Sequence, residues 1–350
     1  MVAPVEIAGR KVGPGQPCFI IAEAGVNHNG SLEMAYRLVD EAKKAGADAV
    51  KFQSFKAERL AGARAPKARY QEEATPKGES QREMLRRMEL SPEDHRKLFG
   101  YASERGILFL SSPFDEESAN LLYRLGVAAF KIPSGELTNL PLLTCVCRFE
   151  RPILLSTGMS TLEEVEMAVA AIRAIHHEGL ALLHCVSAYP APFSEANLRA
   201  METMRDSFQL PVGYSDHTEG LSVALAAAAL GACVIEKHLT LDRALPGPDH
   251  RSSLEPKEFA LLTRGIREVE MALGDGRKEP RPCEEEIAAV ARKSLVAARD
   301  IPKGTPLTKE LIAVQRPGTG LPPSMHDQVI GRKARRDVRE GTVLTLEMLS

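Results

Sequence analysis

Long apolar runs are missing from this 350-residue sequence. No apolar stretch is long enough to cross a bilayer, although 44% of the residues are hydrophobic, which is ample for a sizeable core. Residues 1–6 contain neither the basic region nor the apolar region of a signal peptide. These absences exclude a helical membrane protein and predict a cytoplasmic location.

Paired cysteine motifs and a strong net charge are also missing. The six cysteines form no C-x-x-C pair, and in a chain of this size they are expected to be reduced core thiols. The formal net charge of −2 removes the general electrostatic case for nucleic acid. One basic run, residues 332–336, is predicted to be a solvated face rather than a nucleic-acid patch or a targeting signal.

What the sequence does contain is a regular alternation of short apolar segments and helical patterns. Ser91 and Thr161 have the spacing of helix caps, with Thr161 opening a capping box. Eight strand-then-helix units favour an α/β fold, the (β/α)8 TIM barrel. The alternative, a doubly wound open sheet, would require a dinucleotide turn after the first strand, and residues 23–30 do not match G-x-G-x-x-G. The predicted strands lie at residues 17–22, 48–53, 107–110, 128–132, 152–155, 180–183, near 213 and at 233–238.

Two regions depart from this alternation. Residues 54–81 show no period and are predicted to run over the barrel mouth as a lid. Beyond the barrel, residues 300–311 recur as residues 337–348, each copy having a Gly turn and a second Thr able to cap a helical turn. The predicted domains are a catalytic barrel at 1–273, a linker at 274–290 and a small β-rich domain at 291–350, too small for much core of its own.

Two histidines are expected to meet at one end of the barrel. His217 and His238 follow neighbouring predicted strands, whose C-terminal ends share the face where barrel enzymes carry out chemistry. Glu236 shares a face with His238, whereas Lys237 points to the opposite face. Two imidazoles beside Asp216 and Glu236 favour a metal site.

Lysines, hydroxyls and carboxylates follow the other strands. Lysines with serine hydroxyls and Gly-flanked amides make an oxyanion site, and carboxylates can transfer protons or bind sugar hydroxyls. With a metal, these groups predict condensation of a phosphorylated small molecule with a polyhydroxy carbonyl compound. The collected residues are Glu23, Lys51, Gln53, Lys131, Ser134, Glu136, Ser156, Ser187, Tyr189, Ser215, Asp216, His217, Glu236 and His238.

Two other functions are compatible with these residues. Lys51 or Lys131 could attack pyruvate, as in a Schiff-base aldolase. A non-catalytic sugar-binding module on an inert barrel is the second alternative, but it leaves the histidine pair and the clustered carboxylates without a purpose.

Several motifs in one order resemble the sialic acid synthase family, and the tail resembles that family's antifreeze-like (SAF) domain. The resemblance covers nearly the whole chain and implies that phosphoenolpyruvate is joined to an N-acetylated hexosamine such as N-acetylmannosamine, giving N-acetylneuraminate and phosphate. The motifs are Glu23-x-Gly25-x-Asn27-His28-x-Gly30-Ser31, Lys131-Ile132-x-Ser134-Gly135-Glu136, Ser156-Thr157-Gly158-Met159, Ala188-Tyr189-Pro190, Gly213-Tyr214-Ser215-Asp216-His217-Thr218, Glu236-Lys237-His238, Pro246-Gly247-Pro248-Asp249 and Arg316-Pro317-Gly318-Thr319-Gly320.

The resemblance also implies individual roles. His217 and His238 would hold a divalent ion, Mn2+ by preference, with Mg2+ or Co2+ as alternatives. Arg316 would reach the N-acetyl group from the partner subunit of a domain-swapped homodimer. Phosphoenolpyruvate would be held by Lys51, Lys131, Ser134, Ser156 and Ser215, and the sugar by Gln53, Glu136, Tyr189 and Asp249. The predicted catalytic residues are Glu23, Lys51, Lys131, Glu136 and Glu236.

Two details of the resemblance bear on the substrates. Many bacterial members have Asn where this chain has Ser187, whose shorter side chain would weaken one anion contact or admit a water. Synthases of legionaminic and pseudaminic acid share most of the motifs, and Ser134-Gly135-Glu136, in place of Ser-Phe-Glu, favours the sialic or legionaminic branch. N-acetylmannosamine is the predicted acceptor, and a diacetamido-trideoxyhexose is the alternative.

Overall fold

The computed structural model describes residues 2–176 and 179–350. The chain forms two compact units, Met1–Gly274 and Asp275–Ser350. None of the helices in the described ranges combines the length and apolarity needed to cross a membrane.

Eight parallel strands of the first unit form the predicted barrel. A short antiparallel hairpin, which the sequence analysis did not predict, precedes them and consists of β1 (Val5–Ile7) and β2 (Arg10–Val12). The barrel strands follow the order β5-β4-β3-β10-β9-β8-β7-β6, and β5 and β6 are neighbours that form no ladder in the described part of the chain. These strands are β3 (Phe19–Gly25), β4 (Ala49–Ser54), β5 (Leu108–Pro113), β6 (Phe130–Ile132), β7 (Ile153–Ser156), β8 (Leu180–Cys185), β9 (Val212–Asp216) and β10 (Val234–His238).

Helices follow each barrel strand and cover its outer face. Ser91 and Thr161 cap α5 and α8 with their side chains, and both form capping boxes. The helices of this unit are α1 (Leu32–Lys44), α2 (Ala57–Leu60), α3 (Arg69–Ala74), α4 (Gln81–Arg86), α5 (Pro92–Arg105), α6 (Glu116–Leu125), α7 (Leu140–Cys147), α8 (Leu162–Arg173), α9 (Ala200–Phe208), α10 (Ser222–Ala229) and α11 (Pro256–Leu273). The three short helices α2 to α4 lie in and just beyond the region predicted to be a lid.

Successive side chains of each strand point alternately outward and inward, and this determines which residues fill the barrel. Side chains such as Ile20 and Val50 belong to the large cluster shared with the outer helices. Their neighbours Ile21 and Ala49 belong to an apolar cluster inside the barrel, which the hairpin completes with Val5, Ile7 and Val12. Further along the same strands, toward their C-terminal ends, the inner positions become polar. The apolar layer therefore supports a polar layer above it.

The second unit is built from the two copies of the sequence repeat. The backbone groups of Ile301 and Val338 exchange two hydrogen bonds, of 2.7 and 2.9 Å. The same symmetry appears in two side-chain bonds between the copies. Asp300 accepts a hydrogen bond from the backbone N–H of Glu340, and Asp337 accepts one from the backbone N–H of Lys303. The elements of this unit are α12 (Glu285–Ala291), β11 (Ser294–Ala297), β12 (Ile312–Gln315) and α13 (His326–Val329), with β11 and β12 antiparallel.

This unit has a hydrophobic core of its own, although its size alone predicted little. The core includes Leu295, Leu307 and Leu344, all buried. Thr308 and Thr345 precede short 3-10 turns as the repeat predicts, but neither side chain makes a capping hydrogen bond in the described structure.

Candidate active site

A cavity of about 430 Å³ opens at the C-terminal ends of the barrel strands. This is the end at which the sequence analysis placed the site, and most of the predicted residues line it. Those residues are Glu23, Lys51, Gln53, Lys131, Ser134, Ser156, Ser187, Tyr189, Ser215, His217, Glu236, His238 and Asp249.

Two lysines and two glutamates form the floor of the cavity. Lys51 Nζ lies 2.6 Å from a carboxylate oxygen of Glu23 and 3.8 Å from one of Glu236. Lys131 Nζ lies 3.1 Å from Glu236, which also accepts a 2.8 Å hydrogen bond from Ser215. All five side chains are buried, so each charge depends on the others for compensation.

The two glutamates of the floor differ in their protonation. Burial raises the pKa of Glu23, and Lys51 only partly offsets this effect. Burial alone would also raise the pKa of Glu236, but Lys131 and Lys51 together hold it below its usual range. Glu236 is therefore a fixed negative charge, whereas Glu23 is able to exchange a proton near neutral pH.

Serine hydroxyls beside the floor fit an oxyanion. The hydroxyl of Ser156 is buried and has no partner in the described part of the chain, so it is free to donate to a ligand. Ser134 Oγ accepts a hydrogen bond of 2.9 Å from the backbone N–H of Gly158. A Cβ at position 158 would lie 2.3 Å from Ser187 Oγ and 2.8 Å from Ser134 Oγ, so only glycine lets the two hydroxyls approach this closely.

The histidine rings converge, as predicted. The ring centroids of His217 and His238 are 5.4 Å apart. His217 Nδ1 donates to the carbonyl of Val186 at 2.8 Å, which leaves Nε2 of the neutral ring with a free lone pair. His238 Nδ1 is buried and has no partner among the described residues.

These rings fit a divalent ion as two of its ligands. Among residues 2–176 and 179–350, no group of three His, Cys, Asp or Glu side chains could hold a metal ion. A metal held by two imidazoles keeps several coordination positions for water and substrate oxygens, which suits a catalytic ion and not a structural one.

Aromatic and acidic side chains surround the histidines on the mouth side. The ring of Tyr189 lies 4.2 Å from that of His217 and is stacked at 5.0 Å on Tyr70 of α3. Burial raises the pKa of Asp249 to about 6. Gln53 Nε2 donates to Glu23 at 3.4 Å. This part of the cavity offers a stacking surface and hydrogen-bonding groups, which are the usual partners of a sugar.

Three predicted residues do not line the cavity. Asp216, which was expected beside the histidine pair, instead forms a buried ion pair with Lys237 at 2.6 Å. Glu136 Oε2 accepts a 2.6 Å hydrogen bond from Asn139, and no contact in this structure supports its predicted catalytic and sugar-binding roles. Arg316 belongs to the second unit, where its Nε donates to the carbonyl of Ala291. The predicted roles of Glu136 and Arg316 stay predictions.

Several cavity residues escaped the sequence analysis, among them Ser112, Cys185 and Tyr70. Ser112 accepts a 3.1 Å hydrogen bond from Lys51, and it follows a predicted strand, so its position was a usable signal. Cys185 also ends a strand and lies 3.6 Å from His217 Nδ1. Tyr70 belongs to the aperiodic segment, where no pattern indicated which side chains face the cavity.

Comparisons with known proteins cover both units. Residues 38–278 match the model of the NeuB family, and residues 292–350 match that of the SAF domain. An N,N'-diacetyllegionaminic acid synthase of Legionella pneumophila is 47% identical over 96% of this chain and 95% of its own length. A synthase of the same name from Campylobacter jejuni is 46% identical over 93% of this chain and 98% of its own.

Solved structures are similar as well. The crystal structure of an N-acetylneuraminic acid synthetase from Leptospira borgpetersenii superposes with a TM-score of 0.73 at 36% sequence identity. The match covers 82% of this chain and 95% of that one.

Proposed function

The chain belongs to the NeuB family and is an enzyme of that synthase type, and from this premise we propose that it is an N,N'-diacetyllegionaminate synthase. It would condense phosphoenolpyruvate with a diacetamido-trideoxyhexose and release phosphate. The observation that carries the proposal is the floor of Lys51, Lys131, Glu23 and Glu236 beside the paired histidines in one cavity.

The choice of acceptor differs from the first expectation. The sequence motifs put N-acetylmannosamine first and the diacetamido sugar second. Two relatives named as diacetyllegionaminic acid synthases are 47% and 46% identical to this chain, whereas the N-acetylneuraminic acid synthetase structure is 36% identical. These identities favour the diacetamido acceptor, and N-acetylmannosamine becomes the alternative.

Phosphoenolpyruvate fits the floor of the cavity. Glu23 and Glu236 together raise the pKa of Lys51 against the effect of burial, so Lys51 stays a cationic donor to the phosphate. Burial lowers the pKa of Lys131, and Glu236 partly offsets this effect, so Lys131 supplies a second cation in its protonated form. The free hydroxyl of Ser156 is a further donor. A protonated Lys51 is a poor nucleophile, which disfavours its use in a Schiff base.

The acceptor lies above the floor with its aldehyde toward the histidines. His217 and His238 would hold a divalent ion, Mn2+ by preference, and the bound ion would polarise the aldehyde oxygen. Tyr189 offers its ring to the sugar, and Gln53 and Asp249 offer hydrogen bonds. These contacts bring the aldehyde carbon within reach of carbon three of phosphoenolpyruvate, where the new C–C bond forms.

Glu23 is placed to handle the proton of the attacking water. C–C bond formation leaves an electron-deficient carbon two, while the former aldehyde oxygen takes up a proton and becomes a hydroxyl. The water that adds at carbon two must lose a proton, and the resulting hydroxyl loses its own when the ketone forms and phosphate leaves. Glu23 in its carboxylate form accepts the proton of the water, because its raised pKa makes it a better base than an ordinary carboxylate. The C–O bond to phosphate then breaks, and Lys51 and Lys131 meet the charge of the departing phosphate.

The test is phosphate release from phosphoenolpyruvate with Mn2+ and each acceptor in turn. We expect the highest kcat/KM with the diacetamido-trideoxyhexose and loss of turnover with a chelator. Preference for N-acetylmannosamine would overturn the choice of acceptor, and no release with either sugar would overturn the synthase. Trapping by borohydride with pyruvate would instead support the Schiff-base aldolase.

A further inference from the structure

Apolar side chains from one cluster line part of the cavity. A separate hydrophobic cluster contains Met84, Met88, Val26, Phe55, Leu60, Leu85 and Phe114, and all of them except Phe55 also line the cavity. We call these six lining residues the apolar wall. Leu60, Leu85 and Phe114 are only partly buried, so each leaves some of its surface open to whatever enters.

The apolar wall lies on the mouth side of the charged floor. All barrel strands run in one direction, so the order of residues along a strand gives their depth. Lys51 is in the middle of β4, and the chain leaves that strand after Ser54 to build α2 and α4, which supply Leu60 and Leu85. Val26 and Phe114 likewise come directly after β3 and β5.

The reaction fixes which end of the acceptor meets this wall. Carbon one of the sugar must lie beside phosphoenolpyruvate on the floor, because that is the carbon that forms the new bond. Carbons four to six are the farthest from carbon one along the carbon chain of the sugar, so they point to the mouth of the cavity. The substituents at these carbons are those that distinguish one acceptor of this family from another.

The nearby amide groups already use part of their hydrogen-bonding capacity on one another and on the backbone. Gln81 donates to Gln71 at 3.4 Å, and Gln71 in turn donates to the Tyr70 hydroxyl at 3.3 Å. Gln71 Oε1 also accepts from the backbone N–H of Ala68 at 2.9 Å. A sugar hydroxyl held against the apolar wall would lose its water without gaining an equivalent bond, whereas a methyl group would gain contact.

We infer that the apolar wall determines acceptor specificity by selecting a methyl group at carbon six over a hydroxymethyl group. This inference rests on the proposed function and names the feature of the acceptor that the site reads. It assigns the selection to Leu60, Met84, Leu85 and Met88 of the segment between β4 and α5, whose sequence showed no functional pattern.

A substrate series tests the inference on the unaltered protein. Phosphate release is measured with the diacetamido-trideoxyhexose, with N-acetylmannosamine, and with 2-acetamido-2,6-dideoxymannose, which differs from N-acetylmannosamine only at carbon six. We expect the 6-deoxy sugar to have a kcat/KM about tenfold or more above that of N-acetylmannosamine, the discrimination typical of one apolar contact. Equal values for these two sugars would overturn the inference even if the diacetamido sugar is the best acceptor.

Variants of the wall supply the complementary test. Leu60→Asn and Leu85→Asn place an amide at partly open positions, and Leu261→Asn on the exposed face of α11 is the matched control. Each wall variant should lower kcat/KM about tenfold for the 6-deoxy sugars and less than threefold for N-acetylmannosamine, with KM for phosphoenolpyruvate and the unfolding midpoint unchanged. Equal losses with all acceptors would show that the wall only seals the cavity.

The two failures are distinguishable. If the wild-type protein does not turn over the diacetamido sugar, the proposed function is wrong. If it does, but neither the 6-deoxy comparison nor the wall variants change the preference, the proposed function stands and the inference about the wall is wrong.

Discussion

At the scale of single residues, the two buried glutamates of the floor differ in their pKa and therefore in their role. Glu236 contacts both lysines and remains ionised, whereas Glu23 contacts Lys51 and Gln53 and has a raised pKa. A carboxylate that titrates above its ordinary range of about 4 can act as a base at the pH of the cell.

We expect Glu23→Gln to lower kcat about 100-fold or more, because the amide keeps the shape but cannot accept the proton of water. The wild-type pH profile should rise through a limb above the ordinary carboxyl range, and the variant should lack that limb. Steady-state phosphate release measures both. Glu33→Gln on the exposed side of α1 is the control, and a Glu23→Gln rate within about threefold of wild type would refute the role.

His28 is a second residue whose protonation has a measurable effect, this time on stability. It is fully buried, its Nδ1 accepts the N–H of Gly30 at 3.0 Å, and burial lowers its pKa to about 3. The unfolded chain takes up a proton at this side chain below about pH 6.5, and the folded protein does not. The free energy of unfolding therefore falls as the pH falls from about 6.5 toward 3.

We expect His28 to cost about 2 kcal/mol of stability between pH 7.5 and pH 5. Urea unfolding of wild type and His28→Gln at both pH values measures this, since glutamine takes up no proton. Between pH 7.5 and pH 5, the free energy of unfolding of the wild type should fall by about 2 kcal/mol more than that of the variant. Parallel pH dependence in wild type and variant would contradict the expectation.

How well a site residue could be predicted depended on whether it lies on a strand. Period-two alternation identified Lys51 and Gln53 as one face, and it separated Glu236 and His238 from Lys237. Tyr70 was out of reach, because its position depends on how an aperiodic segment folds back over the mouth. Glu136 was predicted from its place after a strand, but the 3-10 turn there directs its side chain to Asn139.

At the scale of elements, an ion pair outside the barrel joins β9 to β10. Lys237 Nζ lies 2.6 Å from Asp216 and 2.5 Å from the carbonyl of Thr218, and all three residues are buried. Asp216 and Lys237 directly precede the two histidines, so this pair holds the backbone that presents both rings.

We expect Lys237→Met to lower the free energy of unfolding by about 3–5 kcal/mol, because it leaves the Asp216 carboxylate buried without a counter-charge. The double variant Lys237→Met/Asp216→Leu should recover most of that loss. Urea unfolding measures both, and Glu93→Gln, which breaks an exposed ion pair with Arg96, should change stability by less than about 1 kcal/mol. A double variant no more stable than the single one would count against this account.

Strong periodicity predicted the regular elements well. The helix Pro92–Arg105 begins directly after Ser91, the predicted cap, because a cap residue is recognisable from the local sequence. The N-terminal hairpin was missed, since its strands have only three residues each and are stabilised by contacts with the barrel interior. Contacts between distant segments leave no local pattern.

At the scale of the whole molecule, we propose that the enzyme works together with a partner subunit. The resemblance of the tail to a SAF domain implies that Arg316 reaches the acceptor of a second chain in a domain-swapped homodimer. Arg316 is exposed in its own unit and makes one side-chain hydrogen bond there, to a backbone carbonyl, so its guanidinium is available to a ligand.

Subunit mixing tests this arrangement. We expect Arg316→Ala and Glu23→Gln each to be nearly inactive alone, and their co-expressed mixture to regain about a quarter of wild-type activity. Half of the dimers are then mixed, and one of the two sites in each has an intact barrel and an intact arginine. Arg336→Ala, on an exposed residue of the same unit, should stay active alone. A mixture no better than the sum of its parts, or a monomer by light scattering, would exclude the swap.

The described parts of β5 and β6 form no ladder, so we expect the barrel to deform more easily between these two strands than elsewhere. β6 has three residues and, within residues 2–176 and 179–350, pairs with β7 alone, whereas β4 is paired on both sides. Displacing Lys131, in the middle of β6, therefore disrupts fewer backbone hydrogen bonds than displacing Lys51. Glu23, Lys51 and both histidines therefore lie on or directly after strands that are paired on both sides. Lys131 lies on a strand paired on one side in the described residues, so we expect its backbone to be displaced more easily.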